Sequence, residues 1–285
     1  MAVGRNYLGS YRLVRLIRVG HTCQIWESID ERVERRCALK ALQKEHVHDR
    51  QELGYLKNEY EVGRQLDHKY IIDTYEFVTA HDLPFLVLEF FSGRNLKQLI
   101  RQESELLDEL THMVIKHSAE ALSYMHQQGW IHRDIKPDNF MVNDEGDVRL
   151  IDFAIAMKPP RGLGKLFAGK TKKIQGTRSY MAPEQIRGAA LDPRADIYSF
   201  GCVLYELLTC KPPFTAVSSN DLLNKHLFAP IPVASAANRN VTPEFNNLVF
   251  RMMSKKPEQR PESLSMFLRE YATMRPLKST QKPSS

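Results

Sequence analysis

Eight consecutive residues, His132-Arg133-Asp134-Ile135-Lys136-Pro137-Asp138-Asn139, bring two carboxylates, an amide and two permanent cations into one short stretch. Thirteen residues past Asn139 stands Asp152, followed by Phe153 and preceded by the apolar run 148–151. Asp134, Asn139 and Asp152 are hard oxygen donors of the kind that suit Mg²⁺. Moving a phosphoryl group asks for little covalent help. It asks for metal ions that bridge phosphates and for a carboxylate that positions the incoming hydroxyl. The spacing of three Asp and Asn residues would be weak evidence by itself; the intact octad is what gives it weight.

Such residues need elements to hold them. Residues 11–43 alternate β-branched and aliphatic positions (Val14, Ile17, Ile25, Ile29, Ala38, Leu39) with turn-like breaks, which predicts strands. Residues 50–66, rich in Glu, Leu, Lys and Gln, read as a helix, and 70–78 and 84–90 read again as strands. From about 95 the pattern turns helical: Leu110, Met113, Val114, His117, Ala121, Tyr124 and Met125 recur at helical spacing, with Gly129 as the stop. Asp192 as N-cap with Pro193 at the first helical position predicts another helix, and Thr242-Pro243 a further one. A strand-rich amino-terminal part followed by a mainly helical part is an α+β arrangement, for which a ligand cleft between the lobes is expected.

The octad, then Asp152-Phe153, then Ala182-Pro183-Glu184, in that order, resemble the eukaryotic-like, bacterial-type serine/threonine protein kinase family. Cys37-Ala38-Leu39-Lys40 matches its lysine-bearing strand, Glu59 stands on the helix that follows, and Leu88-Glu89-Phe90-Phe91 resembles its hinge. The resemblance implies a bilobal fold over 11–273, with a β-rich N-lobe at about 11–90, a mainly helical C-lobe at about 91–273 and a disordered tail over 274–285. It implies transfer of phosphate from ATP to serine and threonine hydroxyls of proteins, with Mg²⁺, or Mn²⁺ as an alternative, as the metal. Asp134 would accept the hydroxyl proton, Lys136 neutralise the transferred charge, and Lys40, held by Glu59, position the α- and β-phosphates. Asn139 and Asp152 would hold the metal. Ile17, Gly20, Ile25, Ala38, Leu88 and Met141 would line the nucleotide, whose adenine edge would meet the main chain of Glu89 and Phe91. Thr177 would keep Asp134 and Lys136 in register, Asp196 would anchor the loop, and Arg260 would pair with Glu184. Lys136 and Gly176-Thr177 resemble the serine/threonine rather than the tyrosine branch.

Three positions depart from that pattern. Arg18 and Cys23 stand where the phosphate loop has its first and third glycines, and only Gly20 remains. Glycines there let N–H groups approach phosphates, so the substitutions are expected to stiffen the loop. Ala154 replaces the glycine after Asp152-Phe153, where a Cβ restricts a backbone flip, and Gly63 sits one turn beyond Glu59 in a place often filled by an apolar side chain. The alternative reading is therefore a pseudokinase, a nucleotide-binding scaffold. A kinase-like enzyme acting on small molecules is disfavoured by Lys136 and by Ala182-Pro183-Glu184.

The 285 residues, 42% hydrophobic and 26% charged, fit an ordinary globular chain and exclude collagen-like, coiled-coil and disordered classes. Cys23, Cys37, Cys202 and Cys210 form no CxxC pair, which argues for reduced thiols and a cytoplasmic location. No apolar run reaches the roughly 18–20 residues of a membrane span. Between Asp152 and Glu184 there are seven cations (Lys158, Arg161, Lys165, Lys170, Lys172, Lys173, Arg178) and no acid, enough to supply the whole net charge of +6. One basic loop does not make a nucleic-acid surface, so the expected partners are ATP and protein substrates. Thr171, among those lysines, is the expected phosphate acceptor. The added negative charge would be drawn to Arg133, with autophosphorylation in trans between two copies of the chain as the route.

Overall fold

The computed structural model describes residues 6–102, 105–159 and 175–278. The chain forms two compact units, one of Met1–Ser92 with Ile151–Ala156, the other of Gly93–Leu150 with Met157–Ser285.

In the first unit, β1 (Tyr7–Leu8), β2 (Tyr11–Val19), β3 (Cys23–Asp30), β4 (Arg35–Leu42), β5 (Thr74–Ala80) and β6 (Leu83–Glu89) form an antiparallel sheet in the order β1-β2-β3-β4-β6-β5. The register places Ile25 opposite Lys40 and Ala38 opposite both Glu27 and Leu88. Bulges in β2 leave Val14 and Ile17 outside the pairing, which bends the strand. One face buries Tyr11, Cys37, Leu39, Phe85 and Val87, with Tyr11 and Phe85 edge to face at 5.6 Å. Burying a Leu or Phe side chain of this kind stabilises by about 2 kcal/mol. Against the other face packs α1 (Arg50–Gly63), started by the Asp49 carboxylate, which accepts the Gln51 and Glu52 N–H groups at 2.8 and 3.3 Å. Leu56 of this helix meets Leu42 and Leu86. Gly63, the last residue of α1, is buried where a Cβ would come within 2.2 Å of Thr74 Oγ1, so its small size is set by close packing on β5. The strand expected from 70 begins only at Thr74.

The second unit opens with β7 (Arg94–Asn95) and α2 (Leu96–Arg101), then α3 (Glu105–Gln127), which buries Val114, Ile115, Ala121, Leu122 and Met125 along one stripe. Gly129, at φ 80°, ends the turn that follows, where Trp130 N–H returns to the Met125 carbonyl at 3.1 Å. β8 (Phe140–Val142) and β9 (Val148–Leu150) join β7 in a small sheet. Next come α4 (Pro183–Ile186), α5 (Arg194–Thr209), α6 (Ser219–Phe228), α7 (Ala234–Ala237), α8 (Pro243–Met252) and α9 (Leu264–Tyr271). α5 is buried along nearly its whole length, as a central helix must be. It starts one residue later than the sequence suggests: Pro193 is the cap residue, and the Asp192 carboxylate accepts the Arg194 N–H at 2.8 Å. The reading of 274–285 as a disordered tail fails for its first five residues. Leu277 bridges Val241, and Lys278 N–H donates to the Asn240 carbonyl at 2.8 Å, so backbone pairing fixes them. Residues 279–285 lie outside the described part. Among the described residues no helix is long and apolar enough to cross a membrane.

Candidate active site

Three charges meet in the first unit. Lys40, on β4, donates from Nζ to Glu59 Oε2 of α1 at 2.5 Å and to Asp152 Oδ1 at 3.2 Å. β4 runs through the middle of the sheet and α1 packs across it, so each side chain has one direction in which to point. Burial alone would push the Lys40 ammonium down, but the Asp152 and Glu59 carboxylates together raise it above its ordinary value. Burial pushes Glu59 up to about 7 against the pull of Lys40. Asp152 itself sits at φ 70°, in the left-handed region that costs a non-glycine residue about 1 kcal/mol. Its side chain is 32% exposed, against 4% for Glu59, which leaves the Asp152 carboxylate the more accessible of the two acids.

The turn between β2 and β3 is drawn shut. Gly20 N–H donates to the Cys23 carbonyl at 2.8 Å, and a Cβ on Gly20 would press on that oxygen at 3.1 Å. Gln43, just past β4, donates from Nε2 to the Gly20 and His21 carbonyls at 2.7 and 3.1 Å, while its own N–H donates to Thr22 O at 2.8 Å. Arg18 pairs with Ile25 in the ladder and Cys23 begins β3, so neither position needs a glycine conformation in this state. Burial pushes the Cys23 thiol up despite Lys40, the opposite of what a reactive thiolate needs.

In the second unit the octad is held from several sides. The buried Asp196 carboxylate of α5 accepts the N–H groups of His132 at 2.7 Å and Arg133 at 2.9 Å, and bonds His126 Nε2 at 2.9 Å. Burial favours the neutral acid, yet these donors bring the Asp196 carboxyl below its ordinary value. Arg133, held on both sides, adopts φ 71°. Asp134 follows: Lys136 Nζ donates to its Oδ2 and Thr177 N–H to its Oδ1, both at 2.6 Å. Lys136 also donates to Thr177 Oγ1 at 3.1 Å. Asn139 Nδ2 donates to the Asp134 carbonyl at 2.9 Å, so its amide oxygen is the atom it can offer a cation. Asn139 and Asp152 thus each present the hard oxygen that Mg²⁺ takes.

A loop carrying His-Arg-Asp with its aspartate locked to a lysine two residues on, and a lysine–glutamate pair between strand and helix, occur together with a direct family match: residues 11–272 fit the protein kinase domain. The chain belongs to that family. Similar proteins include a probable serine/threonine-protein kinase of Streptomyces coelicolor, 31% identical over 91% of this chain and 39% of its own length. The serine/threonine-protein kinase PknL of Mycobacterium tuberculosis is 32% identical over 88% of this chain and 62% of its own. PrkC of Bacillus subtilis, also a serine/threonine-protein kinase, is 29% identical over 92% and 40%. The kinase domain therefore spans about two fifths to three fifths of the length of these curated relatives.

Elsewhere in the kinase domain, Arg260 Nη1 and Nη2 donate to the two Glu184 oxygens at 2.6 and 2.8 Å, a buried, two-pronged pair. Arg260 also binds the carbonyls of Ser254 and Arg194 at 2.8 and 2.7 Å. Leu88 pairs with Ala38 and Thr74, and Glu89 N–H donates to Asp73 O at 2.9 Å, which narrows what Glu89 can offer a ligand to its carbonyl. The Arg36 guanidinium lies over the Phe90 ring at 3.9 Å. Ile17 is 47% exposed at its bulge; Phe91 is half-buried. Met141, on β8, belongs to the other unit from Ala38. Of the basic run, Lys158 sits over the Trp130 ring at 4.7 Å; Arg161, Lys165, Lys170, Thr171, Lys172 and Lys173 lie outside the described residues.

Three site residues escape sequence reasoning. Gln43 braces the Gly20 turn. Gln185 donates from Nε2 to the Arg133 and Gln175 carbonyls, both at 2.9 Å, clamping the octad to the 175–177 segment. Asn58 binds the carbonyls that follow Asp152. Gly176 was visible as a motif residue, but its reason is local: at φ 107° a Cβ would sit 2.9 Å from the Arg133 carbonyl.

Proposed function

We propose that this chain transfers the γ-phosphate of ATP to serine and threonine hydroxyls of proteins. The observation that carries this reading is Asp134, whose carboxylate is held between Lys136 and the Thr177 N–H on a loop tied down by Asp196. A carboxylate so fixed can orient a hydroxyl and accept its proton at Oδ1 or Oδ2. Lys136 stands beside it as the cation that offsets charge on the phosphate being moved. Lys40, kept charged by Glu59 and Asp152, binds α- and β-phosphate oxygens. Ile17, Gly20, Ile25, Ala38, Leu88, Met141 and the main chain of Glu89 and Phe91 are assigned to the nucleotide. Asn139 and Asp152 are assigned to Mg²⁺, which supplies neutralisation of phosphate charge when bound.

The finer reading is that the chain also phosphorylates itself at Thr171, with Arg133 as the receiving cation. Arg133 Nη2 already donates to Gln175 Oε1 at 3.2 Å, at the near end of the segment that leads back to Thr171. Intact-mass and peptide analysis after incubation with ATP and Mg²⁺ reads this directly. A second reading, a nucleotide-binding scaffold, draws on Arg18, Cys23 and Ala154.

The deciding experiment incubates the chain with γ-labelled ATP, Mg²⁺ and a generic protein acceptor, then separates the phosphoamino acids. Label on phosphoserine and phosphothreonine supports the kinase. Nucleotide-induced thermal stabilisation with no label on any acceptor supports the scaffold.

A further inference from the structure

The segment Asp152-Phe153-Ala154-Ile155-Ala156 carries alanine at the position where the family pattern has a flexible glycine. Ala154 is outside the left-handed region, so its methyl costs nothing in this backbone state; a state that needed positive φ there would be strained. One side chain from another element grips the same segment. Asn58 Nδ2 donates to the carbonyls of Phe153, Ala154 and Ala156 at 3.2, 3.1 and 3.0 Å. A carboxamide nitrogen has two hydrogens, so three acceptors at these distances require at least one shared hydrogen. The carbonyls must therefore converge on one point, which an altered segment conformation would not permit.

Asn58 immediately precedes Glu59 on α1. The same helical turn thus supplies the carboxylate that meets Lys40 at 2.5 Å and the amide that fixes the segment bearing Asp152, which meets Lys40 at 3.2 Å. We infer that Asn58 is a positioning residue that latches residues 152–156 to α1, so that Glu59 and Asp152 are delivered to Lys40 together or not at all. This rests on the kinase reading. Asn58 touches neither phosphate nor acceptor, and its influence passes through Asp152. It replaces, with a donor from the helix, the control that a glycine hinge would exercise through backbone freedom. The latch and Ala154 act in the same direction: the methyl narrows the alternatives and the amide selects one of them.

The test compares the full chain with Asn58→Ala and Asn58→Asp. The Asp variant keeps the shape of the side chain while replacing donors by acceptors that face carbonyls. Transfer of γ-phosphate is followed against Mg²⁺ concentration and, separately, against protein acceptor, and amide hydrogen exchange over 153–157 is followed by mass spectrometry. Losing the net contribution of one or two hydrogen bonds predicts a roughly tenfold rise in the Mg²⁺ concentration for half-maximal rate, with the KM for acceptor unchanged. Exchange over 153–157 should accelerate, more for Asp than for Ala. In an Ala154→Gly background the loss of Asn58 should cost more than it does beside Ala154. An unchanged Mg²⁺ requirement with unchanged exchange in either folded variant overturns the latch, as does a fall in kcat with no change in Mg²⁺ dependence. If the unaltered chain transfers no label, the kinase reading falls, while the exchange arm still judges the latch alone.

Discussion

Around Asp134 charge is added to the amide bonds of Asn139 and Gln185: the Asp196 carboxylate takes two N–H groups, Lys136 and Thr177 close on Asp134, and Arg260 grips Glu184 through two bonds. Around Gly20 and Ala154 the backbone is gripped by neutral amides, with Gln43 on two carbonyls of the turn and Asn58 on three carbonyls of the segment. The first region keeps its family pattern and the second is where glycines have been lost. A carboxamide can restrain a carbonyl without burying a charge, so it suits a place where a backbone once governed by glycine still has to hold a set shape. A buried ion is a different kind of restraint, strong only while both partners remain.

That contrast sets the sizes of the expected effects. Arg260→Met leaves the Glu184 carboxylate buried without its partner, and should cost about 3–5 kcal/mol in chemical unfolding. A loss below about 1 kcal/mol would mean that charge is not what secures this region.

The second unit should also be the one that weakens in acid. His226 is fully buried against Tyr198 and Phe214, and burial holds its imidazole down at about 4. Its folded value lies below the unfolded 6.5, so its contribution to stability is complete above 6.5 and drains away as pH falls towards 4. At pH 5 the protein should have lost about 2 kcal/mol through this group. His226→Gln should remove that part of the pH dependence, read as the difference between the two proteins in urea midpoints at pH 7 and 5. Parallel pH profiles would contradict it.

A smaller change is expected on the amide side. Gln43→Ala removes two neutral hydrogen bonds, so nucleotide affinity should fall about fivefold, with the melting temperature nearly unchanged. Calorimetric titration of both proteins with ATP and Mg²⁺ checks this; equal affinities would show that the turn needs no brace.

The same contrast explains what could be read in the sequence. The family and its two-part fold were legible, because the octad, Lys40 and Ala182-Pro183-Glu184 combine rare residue types in fixed order. The periodic stripe of α3 and its stop at Gly129 were legible for the same kind of reason. Gln43, Asn58 and Gln185 were not. An amide that reaches a backbone carbonyl leaves no periodicity, and its partner carries no side-chain signature. The assignment of 151–156 to the first unit was hidden too, since β9 immediately before it belongs to the second. The pairing of 275–278 with the stretch before α8 was masked by a proline-containing tail whose contacts run largely to main-chain carbonyls.

The most direct measurement compares the unaltered chain with Asp134→Asn in two readings on the same samples: thermal stabilisation by ATP and Mg²⁺, and a single turnover of labelled phosphate to protein. With Asp134 as the proton-accepting carboxylate, both proteins should be stabilised equally by nucleotide, while the variant's transfer rate falls by at least about 10²-fold. Equal transfer by the two proteins, or none by either, would contradict the account.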